Sequence, residues 1–220
     1  MRQSELFPGT PGHIGTDESG KGDYFGPLVI AGFFLPDGQE GVLREIGVRD
    51  SKVLSDNRCR EIAEALKAGY THAVVVIGPE KYNELYAKMR NLNRLLAWGH
   101  ARAIENILGQ VPCSKAVTDQ FGDERFVLEA LLKQGRTIEL IQRPKGESDP
   151  AVAAASVLAR AEFLKRLHFL GKDWDAELPK GAGPQVEEAA AALVKKHGLE
   201  VLDKIVKRHF KITDRVLRSI

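Results

Sequence analysis

His13-Ile14-Gly15-Thr16-Asp17-Glu18-Ser19-Gly20-Lys21-Gly22-Asp23-Tyr24-Phe25-Gly26-Pro27-Leu28-Val29-Ile30-Ala31-Gly32 is the stretch whose reading decides the fold. A short apolar run ends on two adjacent acids, a glycine-rich turn follows, and a second apolar run opens at once. Ile14 to Asp17 reads as the end of one strand. Leu28 to Leu35 reads as the next, rich in β-branched and aromatic residues and closed by Pro36-Asp37-Gly38. A turn joins the two, as in an antiparallel pair. Tyr24 and Phe25 read as residues that support this turn by packing.

Working outward, Ser55 or Asp56 is placed to cap a helix running to about Lys67, and His72 to Ile77 is a β-branched strand stopped by Gly78-Pro79. Helical periodicity resumes from about Pro79. It is strongest from Asn93 to Leu108, where Leu95, Leu96, Ala103, Ile104 and Ile107 share a face. Lys115 to Asp119 is a short strand ending on an acid, Arg125 to Leu132 is helical, and Thr137 to Gln142 is a further strand. Pro150 then opens a helix, a favoured first-turn position for proline. The small residues of Ala151 to Ala159 fit close packing against a sheet. The rest reads as helical, with a loop at Leu178 to Pro184. Strands alternating with helices give an α/β domain over residues 13–220 with a helical C-terminal part, preceded by a flexible lead of residues 1–12.

The bulk composition sets limits. The 220 residues are 43% hydrophobic and 28% charged, with a net charge of +2, which suits a soluble core-forming protein and is too small to require a polyanionic partner. Basic residues concentrate after Lys195, a distribution that can track a phosphate backbone or form a solvated helix face. Cys59 and Cys113 are far apart and show no CxxC spacing, so neither a zinc site nor a disulfide follows; both read as buried or half-buried thiols. The N-terminus lacks an apolar signal core and no apolar run is long enough to cross a bilayer, so the expected setting is the reducing cytoplasm.

Adjacent carboxylates repel, and a fold that places them together usually supplies a cation. Hard oxygen donors select Mg²⁺ or Mn²⁺ over Zn²⁺. Acids fall at three element boundaries: Asp17-Glu18 and Asp119 at strand ends, and Glu147 before a helix. Strand ends and helix starts meet at one edge of an open α/β sheet, where four carboxylates can hold two ions for an in-line displacement on a phosphate ester. Taken singly, Asp119 also fits a turn former or cap, and Glu147 a surface acid. Asp149, just before Pro150, reads as the helix N-cap.

Asp17-Glu18-Ser19-Gly20-Lys21-Gly22-Asp23-Tyr24-Phe25-Gly26-Pro27 resembles the signature of the type 2 ribonucleases H, and ribonuclease HIII more than ribonuclease HII. Asp50-Ser51-Lys52, Asn91-Leu92-Asn93, Thr118-Asp119-Gln120-Phe121, Lys145-Gly146-Glu147-Ser148 with Ala151 to Arg160, and Leu178-Pro179-Lys180-Gly181-Ala182-Gly183 are similar to further family segments in the same order. The resemblance runs from about Gly15 to Phe210. It implies an RNase H-like fold, with a mixed five-stranded sheet flanked by helices and a C-terminal helical extension. It implies endonucleolytic hydrolysis of the RNA strand of RNA–DNA hybrids, leaving 5′-phosphate and 3′-hydroxyl ends. It carries catalysis and ligation of two Mg²⁺ or Mn²⁺ ions to Asp17, Glu18, Asp119 and Glu147. The fourth acid is typically Asp in ribonuclease HII and Glu in ribonuclease HIII, so Glu147 takes the role and Asp149 stands aside. Ribonuclease HIII usually carries an N-terminal domain resembling TATA-binding protein. Only a dozen residues precede the motif here, which matches the catalytic domain alone.

The same resemblance suggests how a hybrid is read. The 2′-hydroxyls lie in the wide minor groove, within reach of backbone groups at Gly20, Lys21 and Gly22. Lys52, Ser148 and Lys180 would contact phosphates. Ribonuclease HII recognises RNA–DNA junctions with a tyrosine in its C-terminal part, whereas no tyrosine follows Tyr86 here, so the chain should cut a single embedded ribonucleotide poorly. The alternatives are a ribonuclease HII-like junction enzyme and a non-catalytic hybrid-binding module. No protein partner is implied, and a monomer is the default. His100, His168, His197 and His209 have no metal-ligand spacing and read as surface or helix residues.

Overall fold

The computed structural model describes residues 11–120, 122–132 and 135–219. Five strands, β1 (Gly12–Ser19), β2 (Leu28–Pro36), β3 (His72–Ile77), β4 (Lys115–Asp119) and β5 (Glu139–Arg143), form one mixed sheet in the order β3-β2-β1-β4-β5. β1, β4 and β5 run parallel, with Thr16 beside Thr118 and Asp119 beside Arg143. Every residue of β2 is buried, as its unbroken apolar run requires.

The described residues also form nine helices: α1 (Glu40–Ile46), α2 (Asp56–Gly69), α3 (Pro79–Met89), α4 (Leu92–Leu108), α5 (Glu124–Ala130), α6 (Pro150–Asp173), α7 (Pro184–His197), α8 (Val201–Ile205) and α9 (Lys211–Ser219). The chain divides into two compact units. Among the described residues the first comprises 11–18, Ile30–Val75 and 91–161, and the second Ser19–Val29, Val76–Arg90 and 162–219.

In the first unit the core gathers Ile14, Phe34, Ala97, Ala101, Ile104, Ile107, Ala116 and Val127. Close approach explains the small residues of α6: a Cβ on Gly15 would fall 2.2 Å from the carbonyl carbon of Ala151 and 2.3 Å from the amide of Val152. The helix backbone therefore lies directly on β1, and any side chain at Gly15 would push it away. In the second unit Tyr24, Phe25, Tyr82, Val201, Leu202, Ile205, Val206 and Val216 are buried. Tyr24 and Phe25 thus pack beneath the turn, as the sequence suggested.

Several boundaries differ from the sequence reading. Gly12 already belongs to β1, while residues 1–10 of the expected lead lie outside the described residues, as does Phe121. α1 was not anticipated: it is seven residues long and buries only Leu43, too little for a periodic signal. The helical pattern from Pro79 to Leu108 breaks at Arg90, whose φ of 48° ends α3, and Asn91 caps α4 through the amides of Asn93 and Arg94. β5 starts at Glu139 because Gly135–Thr137 forms a 3-10 turn. Ser55 caps α2. Among the described residues no helix is long and apolar enough to cross a membrane, and both cysteines are free, Cys59 buried and Cys113 half-buried.

Part of the basic tail is engaged within the protein. Lys196 pairs with Asp175 at 3.0 Å, Arg208 with Asp203 at 2.7 Å and Arg215 with Glu187 at 2.5 Å. Lys207 is fully buried.

Candidate active site

The parallel register assembles the acidic edge in the first unit. Thr16 lies beside Thr118, so one step further along both strands Asp17 comes level with Asp119. Asp119 pairs with Arg143 at the end of β5, and the chain then turns through the 3-10 segment Gly146–Ser148. The Gly146 N–H donates to Asp119 Oδ1 at 2.9 Å. A Cβ on Gly146 would sit 2.7 Å from Asp119 Cα, so this turn is pressed against β4 and needs its glycine. Glu147 is thereby carried to the strand end that bears Asp119. The backbone brings all four predicted acids to one edge.

Like charges meet at this edge. Burial pushes the Asp17 carboxyl up to about 7, and the neighbouring Glu18 pushes in the same direction; hydrogen bonds from Ser156 and from the Glu18 amide, and the nearby His100, only partly oppose the rise. The Glu18 N–H donates to Asp17 Oδ1 at 2.8 Å. Ser156 is positioned by Ser51, their hydroxyls 2.8 Å apart. Ser51 of the Asp50-Ser51-Lys52 motif therefore acts from the interior, while Lys52 is exposed.

His100 corrects the sequence reading. It is fully buried in α4, with Nδ1 2.8 Å from Thr16 Oγ1 and Nε2 3.2 Å from Glu18 Oε2. A carboxylate only accepts, so Nε2 carries the proton that Glu18 receives. His100 fixes the orientation of Glu18. The signal available in sequence was its place on the apolar face of α4, among Leu96, Ala97, Ala101 and Ala103. His209 is likewise not a plain surface residue: it stacks on Tyr86 with ring centroids 4.5 Å apart. His168 and His197 are exposed, as read.

Asp149 has the capping role expected of it. Its Oδ1 accepts from the amides of Ala151 at 2.9 Å and Val152 at 3.4 Å, and its carboxylate meets His13 Nε2 at 2.9 Å. Glu147 and Asp149, two residues apart, are thus distinguished by geometry: one sits in the turn against Asp119, the other closes the N-terminus of α6.

Among the described residues no three His, Cys, Asp or Glu side chains already stand close enough to grip one ion together. The donor set nevertheless suits a hard divalent cation. All four groups are carboxylates, and the repulsion between Asp17 and Glu18 is what such a cation would cancel.

The glycine-rich turn belongs to the second unit. Gly20 has φ +87°, and a Cβ there would meet the Pro27 carbonyl oxygen at 2.3 Å. Gly22 differs: it is exposed, and a Cβ there would meet nothing within 4 Å. The protein's own packing does not require glycine at that position. Ser148 and Lys180 are exposed.

The family model described as Ribonuclease HII matches residues 14–213. The chain belongs to the ribonuclease HII family. Within that family it is similar to ribonuclease HIII of Protochlamydia amoebophila, 46% identical over 208 residues that make up 94% of this chain and 69% of that protein. Ribonuclease HIII of Chlamydia muridarum is 44% identical over 221 residues, covering 99% of this chain and 72% of that one. Among solved structures, Bst-RNase HIII in complex with Mn²⁺ superposes with a TM-score of 0.88 at 32% identity, over 99% of this chain and 72% of that chain. The fold also extends to the ribonuclease H2 from Pyrococcus horikoshii OT3, with a TM-score of 0.80 at 23% identity over 94% of this chain. Family membership makes the chain an endoribonuclease of the ribonuclease H type.

Proposed function

We propose that this chain hydrolyses the RNA strand of RNA–DNA hybrids with the specificity of ribonuclease HIII, using Asp17, Glu18, Asp119 and Glu147 to hold two Mg²⁺ or Mn²⁺ ions. The observation that carries the reading is the convergence of these acids on one sheet edge, where burial and the adjacent Glu18 raise the Asp17 carboxyl. A relative's structure that holds Mn²⁺ supports the metal class. Two ions, when bound, supply Lewis acids for the attacking water and for the departing 3′ oxygen, which yields 5′-phosphate and 3′-hydroxyl ends.

The protein's own residues do the positioning. His100 orients Glu18, Ser156 and the Glu18 amide orient Asp17, and the Gly146 amide orients Asp119. No serine or cysteine nucleophile is needed, because water attacks. Gly20, Lys21 and Gly22 would read 2′-hydroxyls through the backbone, and the exposed Gly22 is free of any neighbour that forbids close approach. Lys52, Ser148 and Lys180 would contact phosphates.

Cleavage mapping on three labelled duplexes tests this reading: a full hybrid, DNA with one ribonucleotide, and a four-ribonucleotide chimera. The expected pattern is efficient cutting of the hybrid and chimera and poor cutting of the single ribonucleotide. Efficient cutting at the single ribonucleotide would assign the junction specificity of ribonuclease HII instead. Metal-independent binding without product would assign a binding module.

A further inference from the structure

Asp23 lies just past the glycines and belongs to none of the roles above. Its Oδ1 accepts from the Gly181 N–H at 2.6 Å, and the Gly181 carbonyl accepts from the Tyr24 N–H at 2.9 Å. These two bonds clasp the Gly20–Gly26 turn to the Lys180–Gly181 loop inside the second unit. Gly181 has φ +84°, the left-handed conformation that glycine favours, so the loop is built to offer its amide there. The Asp23 N–H closes the turn on the Gly20 carbonyl at 3.4 Å.

The clasp is anchored from below. Lys207 Nζ donates to the carbonyls of Asp23 at 2.8 Å, Gly26 at 2.8 Å and Phe25 at 3.3 Å, which uses all three ammonium protons. The Lys207 amide donates to the Tyr24 carbonyl and the Gly26 amide to the Ile205 carbonyl, both at 2.9 Å. Asp23 therefore sits on a fixed base and projects its carboxylate to a loop that carries the exposed Lys180.

We propose that Asp23 is a positioning residue for substrate: it ties Lys180 to the Gly20–Gly22 turn, so that the phosphate contact and the 2′-hydroxyl contacts keep one fixed spacing. This rests on reading Lys180 and Gly20–Gly22 as substrate contacts. A loop lysine ordered before binding loses less freedom on meeting its phosphate, which favours affinity without altering the chemical step. A hydrogen-bond acceptor is all the role demands, so an amide oxygen serves as well as a carboxylate.

The test compares wild type with Asp23→Ala, Asp23→Asn, Lys180→Ala and the Asp23→Ala/Lys180→Ala double variant. Hybrid affinity is measured by fluorescence anisotropy across a salt series in EDTA, and kcat at saturating hybrid. Lys180→Ala should weaken Kd several-fold and lower the salt slope by about one. Asp23→Ala should reproduce both changes with the loss falling on Kd rather than kcat, Asp23→Asn should restore them, and the double variant should be no weaker than Lys180→Ala alone. If Asp23→Ala does not fold, Asp23→Ser, whose hydroxyl falls short of the Gly181 amide, takes its place. Independent losses in the double variant, or an Asp23→Asn variant as weak as Asp23→Ala, overturn the proposal. A Lys180→Ala variant with unchanged Kd and slope overturns the phosphate role of Lys180 and this proposal with it, while leaving the four-acid reading intact.

Discussion

Asp17 in the first unit and Lys207 in the second are both charged side chains drawn out of water, and their surroundings answer in opposite ways. Around Lys207 the fold supplies three carbonyls, the Tyr82 ring at 5.8 Å and the nearby Asp23 carboxylate. Burial still pushes its amine down to about 7, with Asp23 opposing the fall. Every proton on the ammonium has a partner. Around Asp17, burial and the neighbouring Glu18 carboxylate together raise the pKa, and hydrogen bonds from Ser156 and the Glu18 amide only partly oppose the rise. A satisfied buried charge marks architecture. A buried carboxylate set beside a second carboxylate is suited to a cation.

The largest effect that would break this contrast comes from neutralising the acids. Asp17→Asn and Asp119→Asn should each abolish divalent-dependent hybrid cleavage in a gel assay, while Asp17→Asn melts no lower than wild type in EDTA, because it removes a repulsion. A variant that cleaves normally, or one that unfolds, would make Asp17 architectural after all. Next in size is Lys207→Met. It leaves three carbonyls of the turn without their donor, and urea unfolding should show a loss of at least about 1–3 kcal/mol.

The glycines sharpen the contrast at smaller cost. Gly20→Ala must bring a methyl against the Pro27 carbonyl at a positive φ and should lose at least about 1–2 kcal/mol in stability. Gly22→Ala meets nothing in the protein, should stay within about 0.5 kcal/mol of wild type, and should nonetheless weaken hybrid cleavage. Equal stability losses at the two positions would remove the argument that Gly22 is kept for a partner. The smallest effect is expected of Asp149→Asn. Asparagine caps helices as well as aspartate, so stability should change by less than about 1 kcal/mol and hybrid cleavage should persist, unlike in Glu147→Gln.

Much of this was legible in the sequence, for identifiable reasons. The sheet strands show as β-branched runs, and Pro150 and Ser55 announce helix starts through local chemistry. Asp17, Glu18 and Asp119 sit at strand ends where periodicity itself locates them. What stayed hidden depends on tertiary geometry. His100 reads as one more helix residue until α4 is laid on β1 and its ring meets Thr16 and Glu18. Lys207 reads as part of a basic tail until the Gly20–Gly26 turn folds over it. The bond from Asp23 to Gly181 spans more than 150 residues, and no local pattern encodes it. α1 escaped notice because one buried leucine makes no periodicity.

The proposed catalytic centre is four carboxylates gathered around divalent ions. Anomalous diffraction from crystals soaked in Mn²⁺ addresses it most directly. The account predicts Mn²⁺ peaks in direct coordination with Asp17, Glu18, Asp119 and Glu147, with Asp149 still bound to His13 and the start of α6. Mn²⁺ bound only away from this edge, or coordinated by Asp149 in place of Glu147, would contradict it.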